Sequence, residues 1–93
     1  MIIKHEALNY FACELANIKS EYKSGKNVNL ILASVIELSV EVSDMMKAVP
    51  PGQREDTWIV LQSLLAPKWW QTDPVWREVA NVGIKLLNRS RFS

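Results

Sequence analysis

Ninety-three residues, 48% hydrophobic and 23% charged, suit one folded domain, leave no room for two cores and exclude a disordered chain. A formal net charge of +1 excludes the strongly basic profile of a dedicated DNA-binding domain. The single cysteine, Cys13, excludes an intramolecular disulfide and a cysteine-based zinc site, and fits a reducing cytoplasm.

The opening MIIKHEALNYF sets Lys4, His5 and Glu6 where a signal peptide needs an apolar run. Leu8, Phe11, Leu15, Ile18 and Tyr22 then recur at spacings of three and four, which predicts an amphipathic helix over about 4–23. Gly25 stands where a helix C-terminus favours positive φ, and Lys19 and Lys23 suit the negative end of the helix dipole. His5 is expected in an exposed first turn, and Cys13 as a small core or boundary residue.

The segment VNLILASVIELSVEVSDMMKAV carries two patterns. Ile36, Leu38, Val40 and Val42 alternate with Glu37, Ser39, Glu41 and Ser43, as in a strand. Ile31, Val35, Leu38, Val42, Met45 and Val49 also follow helical spacing. Strands run to about six residues. This stretch is far longer and holds no Gly or Pro, so a helix over about 28–48 is expected, with Asn27 as N-cap. Its second stripe, Leu32, Ile36 and Val40, has no obvious cover within so short a chain and is assigned to a dimer interface.

Val49-Pro50-Pro51-Gly52 reads as a breaker, followed by a helix over about 54–65 with Glu55 and Asp56 in its first turn. Trp58, Leu61 and Leu65 form its apolar row, and Pro67 stops it. Lys68 to Thr72 is a linker or distorted turn. Asp73 caps a last helix over about 74–89, with Pro74 at its first position. Val75, Val79, Val82 and Leu86 are read as its core row, extended by Trp76 and Gly83. The expected fold is therefore all-α, a small four-helix, mostly antiparallel bundle that dimerisation would complete. No apolar stretch reaches the ~20 residues of a membrane span.

Charge is distributed unevenly. Residues 27–66 hold Lys47 and Arg54 against Glu37, Glu41, Asp44, Glu55 and Asp56, whereas residues 67–93 hold five bases against Asp73 and Glu78. Glu37, Glu41 and Asp44 share one helical face, but the Glu-x-x-His pairs of helical di-metal sites are missing, so a partner-facing strip is expected rather than a metal site. His5 and Cys13 are separated by eight positions, roughly 12 Å of helix, too far for a nucleophile–base pair. Gly25, Gly52 and Gly83 are isolated and build no phosphate loop. Neither catalysis nor a cofactor is expected.

The adjacent Trp69 and Trp70 cannot point the same way, and tryptophan is enriched at binding hot spots. They are the leading partner-binding candidates, together with Lys68, Arg77, Glu37, Glu41 and Asp44. The expected function is a non-enzymatic protein–protein interaction module. By class-level analogy it would be a small bacterial, phage or mobile-element inhibitor, immunity or anti-defence protein. The alternative is a nucleic-acid-associated factor using Lys68, Lys85, Arg89 and Arg91 beside the tryptophans.

Overall fold

The computed structural model describes residues 6–91, with side chains through Arg89. His5, and the side chain of Arg91, lie outside the described residues. Four α-helices make up the fold: α1 (Glu6–Lys23), α2 (Val28–Met45), α3 (Pro51–Leu65) and α4 (Pro74–Arg91). Short 3-10 turns at Met46–Ala48 and Lys68–Thr72 flank α3, and no strand occurs among the described residues.

Local chemistry sets each boundary. Gly25, at φ +95°, ends α1. Its N–H reaches the Tyr22 carbonyl and the Lys26 N–H reaches Glu21, the paired bonds of a Schellman terminus. Asn27 then starts α2 by accepting the Asn29 N–H on its side-chain oxygen at 2.8 Å. The strand-like alternation in α2 has no role. Ser39 is buried while Glu37 and Glu41 are exposed, so these residues do not share a face. The last turn predicted for this helix tightens into the 3-10 segment Met46–Ala48.

Pro50-Pro51-Gly52 corrects the expected start of α3. The helix begins at Pro51, not near residue 54, because proline at N1 lacks only an N–H that the first turn leaves unbonded anyway. Glu55 and Asp56 consequently fall beyond the first turn. Arg54 ties the break together by donating to the Val49 and Lys47 carbonyls at 3.0 and 3.1 Å.

The main helix contacts form a ring: α2 packs on α1 and α4, and α3 packs on α1 and α4. A cross-section of 22 × 22 Å fits two helices by two, given a helix diameter of about 10–12 Å. One core cluster joins residues of all four helices, including Phe11, Leu15, Val35, Val42, Leu61, Leu65, Trp76 and Leu87. Contacts climb in step along α2 and α4. Val35 and Ser39 abut Gly83, and the Ser43 hydroxyl donates to the Leu86 carbonyl at 3.0 Å. Gly83 and Ser39 are small where the two helices meet.

The buried row of α4 differs from the expected one. Trp76, Val79, Ala80, Gly83 and Leu87 face inward, whereas Val75 is exposed and Val82 and Leu86 are half-buried. The helix has two apolar stripes side by side, and periodicity alone does not tell which one meets the core.

Candidate functional site

The corner between α3 and α4 brings polar and aromatic groups together. A helix leaves its last carbonyls unbonded. Here the bond partners come from side chains. The Trp76 indole N–H donates to the Leu65 carbonyl at 2.8 Å in a buried setting, and the Lys19 ammonium donates to the Leu64 carbonyl at 2.7 Å. A cation at that end also opposes the helix dipole. Burial, followed by the charge of Lys23, holds the Lys19 pKa below its usual value.

Asp73 organises the other side of this corner. Its carboxylate accepts the Val75 and Trp76 backbone N–H groups at 3.1 and 3.0 Å, which starts α4. The same carboxylate accepts the Tyr22 hydroxyl at 2.7 and 2.9 Å. The Trp76 N–H first, and the Tyr22 hydroxyl second, hold the Asp73 pKa below the usual carboxylate value. Burial, the hydrogen bond to Asp73 and that carboxylate's charge push Tyr22 up to about 12.

Both shifts carry a pH signature. A lowered folded-state carboxylate pKa stabilises the fold above the ordinary value of 3.8, and this stabilisation is lost as pH falls through the folded value. A raised tyrosine pKa contributes fully below 10.0, and its contribution is lost as pH rises toward about 12. Urea midpoints measured from pH 7 upward should therefore fall above pH 10.0, and Tyr22→Phe should flatten that fall. Tyr10, whose pKa is raised by burial and by Glu41, retains its own share. An unchanged alkaline slope in Tyr22→Phe would contradict the assignment.

The tryptophans are largely engaged within the chain. Trp76 is fully buried, with its ring 5.3 Å from Tyr22 and 5.5 Å from Trp69. Lys23 stands 5.4 Å from the Trp69 ring centroid, within cation–π range. Trp69 and Trp70 are each half-buried against the core, while Lys68 and Arg77 are exposed. Trp69 thus has an aromatic neighbour and a cation of its own.

An exposed apolar surface lies elsewhere. Val28, Leu32, Ile36 and Val40 recur every fourth residue along one side of α2, and Val28 and Val40 are 41% and 45% exposed. Val75, Val82 and Leu86 line the adjacent side of α4, Val75 being 41% exposed. A groove between the helix starts, lined by Val28, Leu32, Pro74, Val75, Glu78 and Val82 among others, joins the two rows. The assigned interface residues Leu32, Ile36 and Val40 thus belong to a wider face that includes α4. Sequence reading missed the α4 half, although the signal was present. Apolar pairs such as Val75-Trp76, Val79-Ala80 and Leu86-Leu87 give a helix two stripes, too wide for one core to cover.

Glu37, Glu41 and Asp44 are all exposed on α2. Glu41 accepts the Tyr10 hydroxyl at 3.2 Å, and Asp44 pairs with Lys47 at 3.4 Å. Cys13 is exposed, contrary to the core or boundary placement expected for it, and lines an α1/α2 groove with Tyr10 and Met45. Lys85 and Arg89 are exposed on α4. No group of three or more His, Cys, Asp or Glu is placed to hold a metal ion among the described residues. No described helix is long and apolar enough to cross a membrane. Comparisons with protein-family models, curated proteins and solved structures yield no match.

Proposed function

We propose that this chain is a non-enzymatic protein-binding module, of the inhibitor, immunity or adaptor kind, and that its docking surface is the α2/α4 face. The observation that carries the reading is the double row Val28, Leu32, Ile36, Val40 and Val75, Val82, Leu86 along two adjoining helices, in which Val28, Val40 and Val75 are exposed and the other four half-buried. Contiguous apolar surface of this kind marks interaction sites. The proposal invokes no catalytic group and no cofactor, and places the chain in the cytoplasm, which its exposed free Cys13 favours. We also read the bundle as two antiparallel hairpins, α1/α2 and α3/α4, laid side by side. The short reversal at Ser24–Asn27 and the Tyr10–Glu41 bond support the first of them.

Trp69, Trp70, Lys68 and Arg77 take a secondary place in this reading, because the Trp69 ring already has Trp76 and Lys23 beside it. The nucleic-acid reading draws on Lys68, Lys85 and Arg89, which are exposed and form no ion pair among the described residues. It predicts a mobility shift that falls steeply with salt. The protein-binding reading is tested by placing a photo-crosslinking amino acid at Ile36 or Val75, with exposed Ser63 on α3 as the control position. Adducts to protein at the first two positions and not at Ser63 are expected. Equal yields at all three would sink the proposal.

A further inference from the structure

The two helices of this face carry opposite charge. α2 holds Glu37, Glu41 and Asp44 and no base; these acids stand on its α1-side edge, where they line grooves against α1, and Glu41 bonds Tyr10. α4 holds exposed Lys85 and Arg89 against exposed Glu78. Resting on the reading of this face as a protein-binding surface, we propose that its occupant is a second copy of this chain. The copies dock about a twofold axis parallel to the helices, so that α2 of each lies over α4 of the other.

A foreign partner would have to present a basic strip over α2 and an acidic strip over α4 at once. A second copy carries that pattern by construction. A twofold contact uses the same patch on both copies and closes at two. The axis can lie in the face in two limiting ways. Perpendicular to the helices, it sets α2 on α2 and carboxylate against carboxylate. Parallel to the helices, it sets the acidic helix on the basic one, twice.

Height along the bundle favours the same solution. Gly83 abuts Val35 and Ser39, and Ser43 bonds the Leu86 carbonyl, so each residue of α4 has a known level on α2. An axis along the helices preserves those levels. Lys85 of one copy then stands level with the Glu37–Glu41 stretch of the other, and Arg89 with the region of Asp44. Between these rims, Ile36 and Val40 meet Val82 and Leu86. The apolar rows supply the affinity, and the charged rims select the orientation.

The test uses two charge-reversed chains, Glu37→Lys with Asp44→Lys, and Lys85→Glu with Arg89→Glu. All four residues are exposed, and circular dichroism checks that both chains keep the wild-type helix content. Sedimentation equilibrium should give the wild type a mass near twice 10.6 kDa. Each reversed chain alone should dimerise at least tenfold more weakly. An equimolar mixture should recover the wild-type affinity, because both its α2/α4 contacts are again of opposite sign. Native mass spectrometry should then find one chain of each kind per dimer. A wild type that stays at 10.6 kDa at every concentration overturns the proposal. So do reversed chains that dimerise as well as the wild type, or a mixture that does not recover. Crosslinks from Ile36 to a different protein, with a monomeric wild type, would overturn self-docking alone. Their absence as well would overturn the reading beneath it.

Discussion

Trp76→Ala should cost about 3–5 kcal/mol of folding stability, read from urea denaturation followed by circular dichroism. The side chain is fully buried and packs against Tyr22 and Trp69. Its loss leaves a cavity where three helix ends meet, and removes the donor to the Leu65 carbonyl. A fold of this size has a total stability of about 5–15 kcal/mol, so the variant should sit at or near the edge of folding at room temperature. Trp76→Phe separates the two contributions. It keeps a six-membered ring but loses the pyrrole atoms with the indole N–H, so a smaller cavity is added to a buried carbonyl left short of a partner at about 1–3 kcal/mol. A loss for Trp76→Phe as large as for Trp76→Ala would mean that the hydrogen bond, and not the packing, dominates.

Gly83→Val should be the second most damaging substitution. A Cβ at this position would lie 2.9 Å from Leu65 Cδ1, 3.0 Å from Val35 Cγ1 and 3.2 Å from Ser39 Oγ. Leu65, Val35 and Ser39 are all essentially buried and have little room to give. Overpacking of this kind costs about 1–3 kcal/mol, against about 1 kcal/mol of helix propensity gained on leaving glycine. Gly83→Ala should therefore show a small net loss. Valine adds two methyls and a stiff χ1, and should lower the urea midpoint clearly further. Gly52→Ala provides the control. Nothing lies within 4 Å of its Cβ position, so it should be neutral or stabilising by up to about 1 kcal/mol. Equal effects at Gly52 and Gly83 would remove the close approach of α2 and α4 as the explanation.

Much of the fold could be read in the sequence because its signals are local. Gly25, Asn27 and Asp73 mark helix ends by chemistry that acts within a few residues, and Trp58 and Trp76 lie at core spacing and are buried. Pro50-Pro51-Gly52 is ambiguous because proline is compatible with both the end of one helix and the first turn of the next. The orientation of α4 is ambiguous for a different reason. Two neighbouring apolar stripes satisfy helical periodicity equally well, and the choice between them depends on where α2 and α3 lie. The parts of Lys19 and Tyr22 at the α3/α4 corner have no local signal at all, since their partners Leu64 and Asp73 are 45 and 51 positions away. The α2/α4 face is half legible: the α2 stripe reads as uncovered, whereas periodicity draws its α4 continuation, Val75, Val82 and Leu86, into the core row.

Those two long-range bonds also bear on how the chain comes apart. Lys19 and Tyr22 lie in the last turns of α1, and they hold the end of α3 and the start of α4. Opening either helical pair strands an ammonium, a phenol or a carboxylate that had a partner across the boundary. Partial opening is penalised on both sides, so loss of structure in one half propagates to the other. Native-state hydrogen exchange should then find the amides of the last turn of α3 and the first turn of α4 closing and opening with those of α1, as one cooperative unit.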